Sequence, residues 1–137
     1  MADAGADVIV GHHPHVLQPV EWLEGKDGNK TLCVYSLGNF LHEQAYQYNA
    51  VGGMISFDIV KVNDDRAIVE NPVLTPTVCH YPRSFYGNTV YLLSDYTREL
   101  ASQHAVGTYY NNSFSYDYLI NLVKTTIPAE FLPEWYH

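Results

Sequence analysis

The sequence predicts a mixed α+β or α/β domain in which strands outnumber helices, on three observations. Short runs of strand-forming residues, separated by turns rich in Gly, Pro and Asn, fill the first half of the chain. Two stretches of helical periodicity follow in the second half. With 137 residues, 47% of them hydrophobic, the chain is long enough for one domain with its own core.

Five strands are expected, at about residues 7–11, 16–23, 31–37, 53–62 and 66–70. The first is a short apolar run that ends at Gly11, which is typical of a strand buried on both faces. The second and third flank a turn containing Asp27-Gly28 and should form a hairpin. In the fourth, Ile55, Phe57 and Ile59 share the buried face.

Less regular segments separate these strands from the helices. Residues 41–51 are polar and aromatic, which predicts a surface loop. Residues 71–78 are expected at an edge or outside the sheet, because Pro72 and Pro76 cannot donate to a strand ladder. The tyrosine-rich residues 79–93 show no strand or helix period, and we expect an irregular segment.

Two helices are predicted, at about residues 95–105 and 115–125. Ser94 or Asp95 can cap the first, and Gly107 would lie past its end. The second should end before Pro128. At the N-terminus, the residues before Gly5 are typical of the end of a helix with a glycine cap. The apolar residues of the tail 129–137 are expected to pack against the domain.

Charge and cysteine content exclude several function classes. A formal net charge of −8 argues against nucleic acid or an anionic membrane surface as the main partner. No apolar stretch approaches the length of a membrane span, and the first residues lack the basic start of a secretion signal. Cys33 and Cys79 have no CxxC spacing, so we expect two small buried residues rather than a disulfide framework.

The strongest candidate site is His12-His13-Pro14-His15, directly after the first strand. Imidazole is the commonest protein metal ligand, and loops at the carboxyl ends of strands often carry chemistry. Pro14 should hold His13 in an extended conformation and stiffen the loop, so that His13 and His15 keep one geometry for a metal or a phosphate. His12 should point to the opposite side and support the site rather than bind. The alternative is a polar loop of solvent-exposed histidines.

Other polar residues have weaker claims. The turn at Gly38-Asn39 either reaches the histidine loop through its amide or is purely structural. Asp7 and Asp58 are expected to be solvated. Cys79-His80 and Arg83 could contribute to a site, although packing and surface roles are the more common alternatives.

Two segments carry a resemblance to a known family: residues 5–19, from Gly5 through the histidine loop to Pro19, and residues 35–40, Tyr-Ser-Leu-Gly-Asn-Phe. In this order, joined by a hairpin, they resemble CapA-type poly-γ-glutamate capsule biosynthesis proteins, which are related to calcineurin-like metallophosphoesterases. The resemblance covers roughly residues 3–62. It implies a partial metallophosphoesterase-like sandwich of two mixed sheets between helices.

The resemblance also implies a site with two divalent transition-metal ions. The last metal motif of the superfamily is a Gly followed by His-x-His, which His13 and His15 match. His12 and Asn39 would support these ligands without binding the metal. Neither catalytic nor substrate-binding residues can be assigned. In related enzymes the metals bind the substrate's phosphate and activate a water or hydroxide.

The superfamily's other ligands lie in earlier motifs rich in Asp, Asn and His, and this chain contains none of them. We therefore expect residues 1–137 to form a single domain that is the C-terminal fragment of a larger capsule-synthesis domain. Its partners would be the missing N-terminal part or, through exposed sheet edges, a second copy. The isolated chain should bind metal weakly and lack hydrolase activity.

In its full form the protein would be a phosphoesterase-like hydrolase or a polymer-handling protein at the bacterial cell surface or membrane. Its substrate would be a phosphorylated compound or the capsule polymer. The alternative is a non-catalytic cell-surface or interaction module. In that case the histidine loop is a relic, and the tyrosine-rich region 81–118 makes the contacts.

Overall fold

Two three-stranded sheets form the framework of the chain in its computed structural model, which describes residues 1–63, 66–84, 86–109 and 114–137. The first sheet contains β1 (Val8–Val10), β2 (Val20–Glu24) and β3 (Lys30–Val34). β3 lies in the centre, parallel to β1 and antiparallel to β2. The predicted hairpin is confirmed, with Trp22 opposite Leu32.

The second sheet contains β4 (Val51–Asn63), β5 (Arg66–His80) and β6 (Thr89–Leu92). It is antiparallel, and β5 lies between β4 and β6. Isolated bridges join Leu17 to Leu37 and Gly38 to Gly52, so the chain passes directly from the first sheet to the second near residue 38.

Three helices follow: α1 (Arg98–Gln103), α2 (Ala105–Tyr109) and α3 (Tyr116–Thr126). The second predicted helix is confirmed as α3, where Ser115 caps the amide of Tyr118 and Ile127 precedes Pro128. Short 3-10 turns cover 2–4, 47–50, 129–131 and 134–136. Gly5 closes the first of them with φ 86°, as expected of a glycine cap. None of the helices in the described ranges is long and apolar enough to cross a membrane.

One apolar core joins both sheets, the helices and the tail. Val34 and Val78 contribute from the sheets, and Val123 contributes from α3. Phe131, Leu132 and Tyr136 pack from the tail as predicted, whereas Trp135 is 46% exposed. Sheets thus dominate this mixed fold, in agreement with the expected α+β class.

The prediction that the first strand is buried on both faces is wrong. β1 is the edge strand of its sheet, its residues are half-buried or exposed, and Val10 is 45% exposed. The apolar run Val8–Val10 is typical of a central strand, but an edge strand can carry the same run where another surface would cover it.

The predicted end of the fifth strand at residue 70 is also wrong. β5 continues through the prolines to His80, and β6 lies in the segment expected to be irregular. Pro72 stands at a bulge, where the register shifts opposite Ser56–Asp58 and Asn71 has φ 51°. At this position a ladder hydrogen bond is lost in any case, so a proline is tolerated.

The start of β4 is two residues earlier than expected, at Val51, and a 3-10 turn precedes it. Asn49 and Ala50 are buried, so the segment 41–51 is only partly a surface loop. At the other end of β4, Ile59 is 72% exposed and does not share a buried face with Ile55. The bulge shifts the alternation, and residues 58–63 are all exposed.

The first predicted helix is interrupted at His104, and its cap is Thr97 rather than Ser94 or Asp95. Gly107 lies inside α2 instead of past the helix end. The cause of the break is tertiary. The amide of Ala105 donates a hydrogen bond to the Tyr81 carbonyl (3.0 Å), and Nδ1 of His104 accepts one from the Val106 amide (3.1 Å).

Candidate functional site

The histidine loop leaves β1 at Gly11, close to the backbone of β3. The amide of Gly11 donates to the Val34 carbonyl at 2.7 Å. A Cβ at Gly11 would lie 2.4 Å from the Tyr35 carbonyl oxygen. Any residue other than glycine would therefore clash with the backbone at this position. Gly11 thus allows the loop to begin tight against the neighbouring strand.

The backbone of the loop is strained at two histidines. His13 has φ 110° and His15 has φ 58°, values that L-residues rarely adopt. The prediction that Pro14 holds His13 in an extended conformation is therefore wrong, and with it the argument that His12 points to the opposite side. Such backbone positions cost about 1–3 kcal/mol each and cluster at functional sites. All three imidazoles are exposed.

Asn39 binds the ring of His15. Its Oδ1 lies 2.8 Å from His15 Nδ1, and its Nδ2 donates to the His15 carbonyl (2.9 Å) and the Asn49 carbonyl (3.2 Å). Because the partners of Nδ2 are carbonyl oxygens, Oδ1 must be the acceptor. Nδ1 of His15 therefore carries the proton, and in the neutral ring Nε2 keeps its lone pair. The turn at Gly38-Asn39 reaches the histidine loop through its amide.

Asn49 is a residue of this site that the sequence did not reveal. Its Nδ2 donates to the His15 carbonyl at 2.7 Å, so two side-chain amides hold one backbone oxygen. Asn39 and Asn49 are both buried. The sequence predicts a surface loop around Asn49, and no local pattern distinguishes this asparagine from a solvated one.

Two glycines position Asn39 against the start of β4. Gly38 has φ 67°, and a Cβ there would lie 2.6 Å from the Val51 carbonyl oxygen. A Cβ at Gly52 would lie 2.1 Å from the carbonyl oxygen of Asn39 itself. The close approach of these backbones fixes where the Asn39 amide can reach.

The segment after Asn39 is tied down by His42, Gln44 and Tyr81. The side-chain oxygen Oε1 of Gln44 accepts from Asn39 Nδ2 (3.1 Å). The backbone amide of Gln44 donates to His42 Nδ1 (3.0 Å). The Tyr81 hydroxyl donates to the Gln44 carbonyl. Burial, with a smaller contribution from the charge of His15, lowers the pKa of His42 from 6.5 to about 4. A neutral His42 is the form that accepts the Gln44 amide.

A cleft of about 320 Å³ opens beside His15. It is lined by Pro14, His15, Gln44, Ala45, Tyr46, Tyr48 and Asn49. The rings of Tyr46 and Tyr48 stack, with centroids 5.3 Å apart and planes 7° from parallel. Both tyrosines are well exposed, at 64% and 40%.

The acidic sequence candidates do not gather into a metal centre around the histidines. Asp7 precedes β1, and both Asp7 and Asp58 are exposed, as predicted. Asp58 accepts a hydrogen bond from Asn71 Nδ2 at 2.8 Å. Arg83 is exposed in a turn. Within the ranges that the structure describes, no group of three or more His, Cys, Asp or Glu side chains is placed to hold a metal ion.

Cys79 and His80 belong to the core. Cys79 is fully buried and its Sγ contacts the His42 carbonyl at 3.6 Å, while Cys33 is likewise a free, buried thiol. His80 Nδ1 lies 2.7 Å from the Tyr96 hydroxyl. Burial lowers the pKa of His80 and takes that of His104 from 6.5 to about 4. Both rings are therefore neutral packing residues.

Comparison with known protein families gives a match in the part of the chain that carries this loop. The model of the family described as bacterial capsule synthesis protein PGA_cap matches residues 1–44. The PGA biosynthesis protein CapA of Bacillus subtilis (strain 168) is 44% identical over 61 residues, covering 44% of this chain and 15% of that protein. The capsule biosynthesis protein CapA of Bacillus anthracis is 42% identical over 59 residues, covering 43% and 13%.

The chain thus spans less than a fifth of the length of these curated relatives. No solved structure is significantly similar to it. Residues 1–44, which include the histidine loop and Asn39, are thus the part of the chain that is similar to the bacterial capsule synthesis family.

Proposed function

We propose that this chain supplies His13 and His15 as metal ligands of a two-metal, metallophosphoesterase-like site in a CapA-type capsule synthesis protein. The observation that carries the proposal is the hydrogen bond between His15 Nδ1 and Asn39 Oδ1, at 2.8 Å. Ligating histidines characteristically donate their other ring N–H to a carbonyl or carboxylate oxygen, which fixes the ring. Here an amide oxygen takes that place.

The residues present fit a transition-metal ion. His15 keeps an Nε2 lone pair on an exposed ring, and imidazole suits Zn²⁺, Fe²⁺ and similar ions. His13 stands two residues away on strained backbone, which other contacts of the loop must maintain. Asn39 and Asn49 hold the backbone of His15 from the buried side.

Bound divalent ions would supply the binding of a phosphate group and the activation of water. This chain's own contribution is to present two imidazoles and to hold their loop. Further carboxylate and amide ligands would come from an N-terminal part of the same domain, and β1 offers a free strand edge beside the loop for it. The whole protein would then act in poly-γ-glutamate capsule production at the bacterial cell surface.

Metal binding by the purified chain tests the proposal. Calorimetric titration with Zn²⁺ or Mn²⁺ should show weak binding, since two imidazoles alone leave the coordination incomplete. His13→Ala and His15→Ala should each abolish it, whereas His137→Ala, at the exposed C-terminus, should have no effect. Binding that survives both loop substitutions would refute the assignment of these ligands.

The isolated chain should show no phosphodiesterase activity on a generic chromogenic diester. Substantial turnover that a chelator and His13→Ala both abolish would mean that this chain contains a complete site. The alternative of an interaction module that uses region 81–118 has less support, because Tyr81 and Tyr96 are buried in the core. Residues 85 and 110–113 of that region lie outside the described part of the chain.

A further inference from the structure

We propose that the cleft between the histidine loop and residues 44–49 binds an uncharged ring, the base or sugar of a phosphoester, with one ring face against the stacked pair Tyr46–Tyr48. The proposal deepens the proposed function and depends on it only for the position of the phosphate, toward His13 and His15. It adds a substrate class and a binding surface for the part of the substrate that carries the phosphate.

The tyrosine pair has the geometry of a stacking platform. The two rings are offset and nearly parallel, with centroids 5.3 Å apart and planes 7° from parallel. Tyr46 lines the cleft and is 64% exposed, so its ring is accessible to a ligand there. Aromatic side chains stack on bases by this kind of contact and contribute to affinity without selecting one sequence or substituent.

The platform is held by buried contacts. Gln44 makes three hydrogen bonds: its side chain to Asn39, its backbone amide to His42 and its backbone carbonyl to Tyr81. Asn49, on the other side of the pair, is buried and bonded to the His15 carbonyl. The two tyrosines therefore lie between anchored residues, and less ordering entropy is lost when a ligand binds.

The same anchors couple the platform to the histidine loop. Asn39 contacts His15, Gln44 and the Asn49 carbonyl at once. A ring on Tyr46 would thus lie beside His15, which lines the same cleft. A substrate with its phosphate at the imidazoles and its ring on the tyrosines would use both parts together.

Charge and size select the ring. The residues that line the cleft include neither lysine, arginine, aspartate nor glutamate, so nothing there would pair with a charged ring or with the side chains of a polyanion. The volume of about 320 Å³ lies at the small end of ligand pockets, enough for one ring. Tyrosine hydroxyls and the Gln44 side chain offer polar contacts at its rim.

NMR titration of the chain with adenosine 5′-monophosphate and with glucose 1-phosphate tests the proposal, with inorganic phosphate as the reference. At least one of the two ring compounds should shift the amides of residues 44–49 and bind more tightly than phosphate. Tyr46→Ala should weaken that binding at least about fivefold, while Tyr46→Phe should preserve it. Tyr86→Ala removes an 84% exposed tyrosine elsewhere and serves as the matched control.

The preferred compound identifies the source of the ring, a nucleoside or a sugar. Equal binding of both ring compounds and of phosphate, or loss of binding in Tyr86→Ala to the same extent as in Tyr46→Ala, would overturn the proposal. Adenosine and methyl glucoside, which lack phosphate, separate this inference from the metal site. If the ring compounds bind but Mn²⁺ does not, the cleft is supported and the metal site is not. If Mn²⁺ binds but Tyr46→Ala leaves the binding of the ring compounds unchanged, the metal site is supported and the cleft is not.

Discussion

Asn39 is the residue on which the geometry of the candidate site depends. Its Oδ1 accepts a hydrogen bond from His15 Nδ1–H. Its Nδ2 donates to the carbonyls of His15 and Asn49 and to the side-chain oxygen of Gln44. One buried amide therefore sets the tautomer of a candidate ligand and the position of the loop that carries it.

Asn39→Ala should weaken metal binding by the chain about 10- to 100-fold, the usual effect of removing a group that orients a ligating histidine. Calorimetric titration with Zn²⁺ measures it. Asn121→Ala, on the exposed face of α3, is the matched control and should bind like the native chain. Unchanged affinity in a folded Asn39→Ala variant would mean that Asn39 only shapes the turn.

Gly52→Ala should lower the free energy of unfolding by about 1–3 kcal/mol or more, because the new Cβ would overlap the Asn39 carbonyl oxygen. Urea unfolding measures this change. Gly107→Ala is the control, since its Cβ would meet only ordinary contacts at 3.5 Å and alanine favours a helix. If both variants unfold alike, Gly52 does not hold the Asn39 turn in place.

At the scale of elements, turn and cap residues in the sequence correctly predicted the hairpin and the helix whose ends they determine. The Asp27-Gly28 turn marked the β2–β3 hairpin, and Ser115 and Pro128 marked the ends of α3. Several of the wrong predictions involve partners distant in sequence. β6 pairs with the end of β5, and the break at His104 accompanies bonds to the Cys79 and Tyr81 carbonyls. No short window of neighbouring residues contains those contacts.

The fold should lose stability as the pH falls below 6.5, because His104 is buried in its neutral form. Its pKa is about 4 in the folded chain and near 6.5 when unfolded, so unfolding takes up a proton between these values. The loss amounts to about 1.4 kcal/mol per pH unit for each such proton. His80, whose pKa is also lowered, adds to it.

Urea unfolding at several pH values between 7.5 and 4.5 measures this slope. His104→Gln should be less stable than the native chain at pH 7.5, because the ring's bonds to the Cys79 carbonyl and the Val106 amide are disturbed. Its stability should depend less on pH. Parallel curves for the native chain and the variant would contradict the assignment of the slope to His104.

At the scale of the whole molecule, the histidine loop lies next to an open sheet edge. Asp7 accepts from the Leu32 amide and Gly11 donates to the Val34 carbonyl, so the odd-numbered residues of β1 face β3. By alternation, the backbone groups of Val8 and Val10 face the free edge. Exposed edges of this kind pair readily with another strand.

We expect the purified chain to self-associate through this edge, with a mass that rises with concentration in light scattering. Val10→Pro should reduce the association without unfolding the sheet, because it removes an amide directed away from β3. Ile59→Lys, on the exposed end of β4, is the comparison and should leave edge pairing intact. A monomer at all concentrations, or equal effects of both variants, would contradict edge pairing.

Paramagnetic line broadening of the histidine ring signals by Mn²⁺ is the most direct test of the metal-ligand assignment. We expect the rings of His13 and His15 to broaden first, and a spectrum recorded before metal addition to show the proton of His15 on Nδ1. His15→Ala should remove the effect at His13 as well. Uniform broadening of all seven histidines, or broadening of His137 ahead of the loop, would contradict the claim that this loop binds metal.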